Sequence, residues 1–344
     1  MTREQERLRK WSWKAQQERL LTDPDFIVQR VAPLLPELNC RSGQSDWVAE
    51  LVRFKAGDRM TVFYTFGHSA CVYAKTYFDS EIARATHAAL AHLWKQGFGA
   101  NSCLGIPEPL GFVEDANFVV LRRVEGVPLN ELAAAAPIPT ALAAARKAAQ
   151  WLVKFHSTEI PGLELEPTVE RIEILNLAHA LAKTAAECPG YPSLLIGMLH
   201  HLESLAPKNI LSSPLAPLHD QFRPAHVLID RERATVIDIE KLCLSDPAKD
   251  VARFVYAVKK NCMENGCTRE RSDIIAREFI REYASVAPSN LENLPYFRAL
   301  FAFRALSKIL KSHRVTEEAR QYASEMYRLE FEEATGRCAP PVAA

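Results

Sequence analysis

The spacing of apolar residues differs between the two halves of the sequence, and this difference limits the folds open to the chain. Residues 47–67, "WVAELVRFKAGDRMTVFYTFG", alternate apolar and polar side chains around a turn that contains Gly57, a pattern typical of a β-hairpin. The segment "ACVYAKTYF" continues the alternation as a third strand, with Lys75 near its centre. From about residue 140 the apolar residues recur every three or four positions, which predicts helices. The chain should therefore combine a small sheet with a mostly helical second half.

The remaining elements follow from the same periods. A helix is predicted from Ser80, as N-cap, to about Gln96, and two further strands are predicted in "LGFVED" and "NFVVLRRV". In the second half, strand-like runs interrupt the helical pattern at 218–240. The other predicted helices lie near 140–158, 170–186, 192–205, 246–262, 273–286, 291–312 and 315–335. The predicted division is a helical extension (1–46), an N-lobe (47–125), a C-lobe (126–336) and a flexible tail (337–344).

Composition argues against several classes of partner. Lys plus Arg and Asp plus Glu both number 42, so no strong overall field attracts the chain to nucleic acid or to an acidic membrane. No run of 18 apolar residues occurs, and the charged N-terminal stretch lacks the apolar core of a signal peptide. We therefore expect a cytoplasmic protein without nucleic-acid or membrane partners, and the sequence leaves its oligomeric state open.

Four acidic residues follow the second strand-like run of 218–240. Asp238 and Glu240 are two residues apart at the predicted strand end, and Asp246 and Asp250 follow eight and twelve residues after Asp238. Alternation along a strand would send Asp238 and Glu240 to one face, where two carboxylates can share a hard cation. Asp246 followed by Pro247 also has the form of a helix N-cap with proline at the first helical position.

In "VIDIE" and "SDPAKD" the sequence resembles the aminoglycoside phosphotransferase-like family, whose members carry D-x-[DE] and DPAxD segments at this spacing. The resemblance implies an α+β, bilobal protein-kinase-like fold with a small antiparallel-sheet N-lobe and a mostly helical C-lobe. It implies transfer of the γ-phosphoryl group of ATP, with Mg²⁺, to a hydroxyl of a small molecule (antibiotic-like, sugar or amino alcohol) or of a peptide. Asp238 and Glu240 would then bind the metal, and Asp250 would support the catalytic loop.

The resemblance extends to the first half with weaker motifs. Lys75 corresponds to the lysine that holds the α- and β-phosphates, a role that suits a charge fixed on a central strand. Glu81 is the candidate carboxylate to pair with this lysine, although it stands earlier in the helix than the family places it. Residues Arg123, Val124 and Glu125 correspond to the hinge, whose backbone groups would meet the adenine.

In the catalytic loop, this sequence departs from the pattern of the family. Aligning "HDQFRPAH" with HGDxxPxN places His219 on the histidine, Asp220 on the glycine, Gln221 on the catalytic aspartate and His226 on the metal-binding asparagine. A glutamine side chain cannot accept a proton at a useful pH. In a second register, with one extra residue in the loop, Asp220 is the base. The third interpretation is a degenerate site, so a pseudokinase that binds nucleotide and acts as a scaffold stays the alternative function.

The identity of the acceptor does not follow from these motifs. Arg304, Lys308, Lys311 and Arg314 would line one side of a predicted helix and could attract an anionic acceptor. Basic helix faces are more commonly simply solvated. Both interpretations stay open at this level.

Overall fold

The computed structural model describes residues 9, 12–18, 23–35, 38, 47–67, 70–165, 178, 191–206, 214–240, 242–312 and 316–336. Its contacts divide the chain into two compact units. The first consists of residues 1–126 and 228–241, and the second of residues 127–227 and 242–344. The sequence-based division assigned residues 228–241 to the C-lobe. They join the first unit because β10 pairs in parallel with β4 of that unit, Ala234 beside Leu104.

A five-stranded antiparallel sheet forms the centre of the first unit, as the alternation predicts. Its order is β1-β2-β3-β6-β5. The strands are β1 (Trp47–Lys55), β2 (Arg59–Phe66), β3 (Ala70–Tyr77), β5 (Pro109–Val113) and β6 (Phe118–Arg122). The β1–β2 turn closes with a 3.1 Å hydrogen bond from the Asp58 N–H to the Lys55 carbonyl. Gly57 has φ +68°, a conformation that glycine adopts without a steric penalty.

The two faces of this sheet carry different residues. Alternate side chains of β2, such as Val62 and Tyr64, are fully buried in an apolar core. This core includes Ile27 and Val31 from the helical segments Pro24–Phe26, Ile27–Val31 and Ala32–Leu34. The opposite face carries Arg59 and Lys75, since the β2–β3 register places Arg59 opposite Tyr77 and Thr61 opposite Lys75. The N-terminal segment therefore covers one face, and the charged residues lie on the other.

Helix α1 (Ser80–Leu93) follows β3, with Asp79 as its N-cap. The predicted cap was one residue later. Asp79 accepts a 2.9 Å hydrogen bond from the Glu81 N–H, which satisfies one of the otherwise unpaired groups of the first turn. A π-helical turn (Trp94–Phe98) continues α1, and a second sheet of the first unit contains β4 (Leu104–Gly105), β9 (Val227–Asp230) and β10 (Arg233–Val236).

The second unit is mostly helical. Its helices are α2 (Leu129–Ala135), α3 (Ile138–His156), α4 (Pro192–Leu205), α5 (Ala248–Glu264), α6 (Arg269–Ala284), α7 (Leu294–Leu310) and α8 (Glu317–Thr335). The strands are β7 (Val127–Pro128) and the antiparallel pair β8 (Ala216–Leu218) and β11 (Cys243–Ser245). The helix predicted near 170–186 lies outside the described residues, apart from residue 178. The predicted α+β fold class is confirmed.

Helix α5 begins at Ala248 with Pro247 at the N-cap position, so Asp246, which the sequence predicted as the cap, stands one residue before it. Asp246 Oδ1 accepts a hydrogen bond of 2.9 Å from the Ala248 N–H, and its Oδ2 accepts one of 2.6 Å from the Asn293 side chain. In the described part of the chain, no helix has both the length and the apolar character needed to cross a membrane.

Candidate active site

Lys75 is bound by two carboxylates of the segment after β10. Its Nζ lies 2.6 Å from Asp238 Oδ1 and 2.8 Å from Glu240 Oε1. Burial by itself would lower the pKa of Lys75, but the charges and hydrogen bonds of Glu240 and Asp238 outweigh burial and raise that pKa above its ordinary value. The lysine therefore carries a positive charge held in one position.

Arg59 completes this group, and the sequence analysis missed it. Its Nη1 lies 2.7 Å from Glu240 Oε2, and its Nη2 lies 3.8 Å from Asp238 Oδ2. Strand alternation could have indicated it. Arg59 lies two positions before Thr61 and so on the same face of the sheet, and Thr61 is opposite Lys75. We call Arg59, Lys75, Asp238 and Glu240 the Lys75 cluster.

The backbone differs from the sequence prediction at the acidic segment. Strand β10 ends at Val236, so Asp238 and Glu240 do not continue the strand. Asp238 instead has φ +64°, a left-handed conformation that is unfavourable for most residues and that aspartate tolerates better than most. This turn, and not strand alternation, directs both carboxylates to Lys75.

The two carboxylates are not equivalent. The Glu240 side chain is 5% exposed and its oxygens face Lys75 and Arg59, whereas the Asp238 side chain is 20% exposed. In the described residues no three His, Cys, Asp or Glu side chains come together as a metal cage. Magnesium sites that are completed by substrate phosphates commonly use one or two carboxylates. The partly exposed, hard oxygens of Asp238 fit such a site, while Glu240 is better placed as a counter-ion of the two cations.

The other residues predicted for the nucleotide lie elsewhere in the first unit. Glu81 is exposed at the start of α1, and the ion pairs of Lys75 involve Asp238 and Glu240 instead. In the hinge, the Arg123 N–H donates to the Cys71 carbonyl at 3.0 Å, so this N–H is not available to a ligand. The Arg123 side chain pairs with Glu125 at 2.9 Å. Val124 and Glu125 border a cavity of about 270 Å³.

The catalytic-loop residues of the second unit have distinct surroundings. His219 is 1% exposed, and its ring packs against Trp151 and stacks on His226 with centroids 5.9 Å apart. Asp220 has φ +55° and forms a 3.0 Å ion pair with Lys249. The Gln221 side chain is exposed. The buried ring of His219 is a packing element, whereas Gln221 is open to solvent.

Asp250 is fully buried behind this loop. Its Oδ2 accepts a 2.7 Å hydrogen bond from the His219 N–H and lies 3.4 Å from His156 Nε2. His156 Nδ1 lies 2.7 Å from the Tyr283 hydroxyl, which accepts a hydrogen bond from Asn290. If the Tyr283 hydroxyl donates to Nδ1, Nε2–H is left to donate to Asp250.

The surroundings of Asp250 also set its protonation. Burial would raise the pKa of Asp250, but His156 and His219 outweigh burial and hold it below its ordinary value. The sequence showed His156 on an apolar helix face, and only the fold brings it to Asp250.

Several solved structures resemble this chain in fold. An aminoglycoside 2'-phosphotransferase of type IIIa in complex with GDP matches 91% of this chain and 99% of its own, with 14% identity and a TM-score of 0.57. A choline kinase from Cryptosporidium parvum Iowa II matches 90% and 96%, with 11% identity and a TM-score of 0.57. A putative aminoglycoside phosphotransferase from Ralstonia eutropha matches 86% and 94%, with 13% identity and a TM-score of 0.56. At these identities the likeness establishes the fold, which is protein-kinase-like.

The sequence itself matches the model of the phosphotransferase enzyme family over residues 61–289, more than half of the chain. The chain belongs to this family. No curated protein matches the sequence.

Proposed function

We propose that the protein transfers the γ-phosphoryl group of ATP to a hydroxyl of a small molecule. The observation that carries the proposal is the Lys75 cluster, in which Nζ lies 2.6 Å and 2.8 Å from two carboxylates of an acidic segment. Phosphoryl transfer depends mostly on positioned charge, and a fixed ammonium beside a partly exposed carboxylate supplies the two charges of opposite sign that it requires.

Each residue of the cluster has a separate proposed role. Lys75 binds phosphate oxygens of the nucleotide. Asp238 binds Mg²⁺, which when bound neutralises charge on the phosphates. Glu240 holds Lys75 and Arg59 in place, the task for which the sequence had suggested Glu81. His226, a weaker ligand for magnesium than an oxygen donor, stays a proposed second ligand.

The reaction is a direct displacement. The acceptor oxygen forms a bond to the γ-phosphorus, and the bond from that phosphorus to the β–γ bridging oxygen breaks. The electron pair of that bond leaves with ADP, and the hydroxyl proton passes to a base or to water. General-base assistance contributes about 10²- to 10⁴-fold, so a site without it is slow and still capable of turnover.

The backbone favours one of the two loop registers. Asp220 has φ +55°, the conformation for which the glycine of the family's HGD is suited. Its carboxylate is paired with Lys249 at 3.0 Å. We infer that Asp220 occupies the glycine position and that Gln221 stands where the family has its catalytic aspartate. Asp250 would then support this loop through the His219 N–H.

Turnover tests the proposal directly. The protein is incubated with Mg²⁺, with γ-labelled ATP or GTP and with a panel of hydroxylated acceptors, beside an Asp238→Ala control. Transfer of label above the control supports the function, and its absence with every acceptor and both nucleotides contradicts it. Gln221→Asp tests the register, because an added carboxylate at the base position should raise turnover at least tenfold. The same gain would not follow if Asp220 were the base.

Two observations favour a second function, a nucleotide-binding pseudokinase that acts as a scaffold. The amide of Gln221 cannot act as a general base. The carboxylates of Asp238 and Glu240 are already paired with Lys75 and Arg59. Nucleotide binding without turnover, in the wild type and in Gln221→Asp alike, would select this alternative.

A further inference from the structure

The second unit contains a cavity of about 380 Å³, which we call the basic cavity. It is bordered by one face of α5, by α7 and by residues 223–225, which begin two positions after Gln221 in the catalytic loop. Its positively charged lining residues are Arg223, Arg253, Lys260, Arg304 and Lys308. Among the lining residues Glu264 is the one carboxylate, so five positive charges less one negative charge leave +4.

This charge is local. Over the whole chain the basic and acidic residues balance at 42 each, and most cations described above stand beside a carboxylate. Glu264 is already engaged with Lys260 in an ion pair one helical turn apart. The lining residues by themselves therefore carry an excess of positive charge. Concentrated charge of one sign in a concave site attracts counter-ions of the opposite sign.

Arg253 shows that the basic cavity is more than a solvated surface. The central carbon of its guanidinium lies 4.4 Å from the centroid of the Phe301 ring, a cation–π contact that restricts the position of the guanidinium. Its Nε is buried and has no hydrogen-bond partner in the described part of the chain. A buried donor without a partner is unfavourable, and an anion in the basic cavity could accept the hydrogen bond that the Arg253 Nε–H can donate.

We propose that the basic cavity binds a small, multiply charged anion, for which a phosphate monoester is the best match. Arginine forks fit the geometry of phosphate oxygens, and the dianion offsets several cations at once. We further infer that the acceptor alcohol itself carries the phosphate group, a step that rests on the proposed function. The anion would anchor the acceptor beside the catalytic loop, since residues 223–225 belong to both. Cationic acceptors such as amino alcohols or aminoglycosides would meet repulsion in the basic cavity.

A binding experiment without nucleotide tests the site independently of turnover. Inorganic phosphate is titrated by calorimetry into the wild type, Arg253→Gln, Arg304→Gln and the matched control Arg277→Gln. Arg277 is an exposed arginine of α6 that does not line the basic cavity. We expect each cavity variant to raise the dissociation constant for phosphate at least tenfold and the control to leave it within twofold. Arg304 is exposed, so its variant retains the fold if Arg253→Gln does not.

The source of any phosphate binding must also be separated from the nucleotide site. Lys75→Met should abolish ATP binding and leave phosphate binding unchanged if the anion occupies the basic cavity. Phosphate binding that depends on Lys75 and not on Arg253 or Arg304 would overturn the inference. Tighter binding of a short RNA than of phosphate, with the same dependence on Arg304, would overturn it too, because the cavity would then be part of a nucleic-acid surface.

Turnover provides the last comparison. Glycerol 3-phosphate, glycerol and choline serve as acceptors of the same size class and of different charge. Phosphorylated acceptors should exceed the neutral and cationic ones by at least tenfold, and this preference should fall in Arg304→Gln. A preference for choline would overturn the inference. If no acceptor is turned over but phosphate still binds in a way that depends on Arg304, the anion site stands and the proposed function fails.

Discussion

Two ion clusters among the described residues resemble each other in composition and differ in their backbone. In the first unit, the Lys75 cluster joins two cations and two carboxylates. In the second, Lys259 lies 2.9 Å from Asp273 and 3.2 Å from Glu333 and also pairs with Glu330. Arg298 lies 2.7 Å from Glu330 and 3.0 Å from Glu333. We call these five residues the Lys259 cluster.

Burial and pKa do not distinguish the clusters. The side chains of Lys75 and Lys259 are 13% and 7% exposed, and carboxylates raise the pKa of both lysines despite the opposing effect of burial. The difference lies in the backbone that carries the charges. The Lys259 cluster joins regular turns of α5, α6, α7 and α8, whereas Asp238 has a left-handed backbone with φ +64°. Strained conformations persist where surrounding structure enforces them and are concentrated at functional sites. A perturbed lysine pKa alone would have pointed to both clusters.

The largest expected effect is on turnover in the Lys75 cluster. Asp238→Asn keeps a residue that tolerates the left-handed backbone and removes the charge that would bind Mg²⁺. We expect turnover to fall about 100- to 1,000-fold, as for loss of one transition-state contact. Steady-state kinetics measure this fall, and denaturant unfolding checks that the variant is folded. Unchanged turnover would remove the functional distinction between the clusters.

The matching change in the Lys259 cluster should affect stability. Glu330→Gln leaves Lys259 and Arg298 with incomplete pairing in a buried position, and breaking such a pair lowers the free energy of unfolding by roughly 3 kcal/mol. Turnover well below the unfolding temperature should stay within twofold. Glu325→Gln, on the same helix and in a pair whose carboxylate is 54% exposed, is the control and should change stability by less than about 1 kcal/mol. A loss of turnover in Glu330→Gln would mean that this cluster too is functional.

Asp250 should show a smaller effect that depends on pH. Asp250→Asn removes the charge from a buried acceptor of the His219 N–H, and we expect a loss of about 2 kcal/mol at pH 7. The folded pKa of Asp250 lies below its ordinary value of 3.8. Its contribution is therefore present above pH 3.8 and is lost as the pH falls through the folded value. Unfolding at several pH values should show the wild type and the variant converging in acid, and a constant gap would contradict this account.

The smallest expected effect is at Glu81. Glu81→Gln changes an exposed residue in the first turn of α1, where a carboxylate interacts favourably with the helix dipole. We expect a change in unfolding free energy below about 0.5 kcal/mol and turnover within twofold of wild type. A tenfold loss of turnover would show that Glu81, and not Glu240, holds Lys75 during the reaction.

Much of the fold followed from local patterns. Alternation placed β1, β2, β3, β5 and β6, and the three-to-four spacing placed most helices of the second unit, because each pattern reports a contact with the nearest buried surface. The same reasoning placed the N-cap of α5 at Asp246, one residue before the observed cap, Pro247. It wrongly continued the strand through Asp238 and Glu240. The turn at Asp238 depends on a left-handed backbone, and the residue type alone does not reveal that conformation.

What the sequence by itself determined was the α+β class, the phosphotransferase resemblance and the identity of Lys75 and Asp238 as candidates. The tertiary structure decided the partners. The hydrogen bonds from Lys75 to Asp238 and Glu240 join residues 163 and 165 positions apart, and no local pattern specifies a pairing at that distance. Arg59 joined this cluster through strand register, and the basic cavity is lined by residues of α5, α7 and 223–225 that are distant in sequence. Local propensity operates over a few residues, whereas charge complementarity depends on distances that exist only after folding.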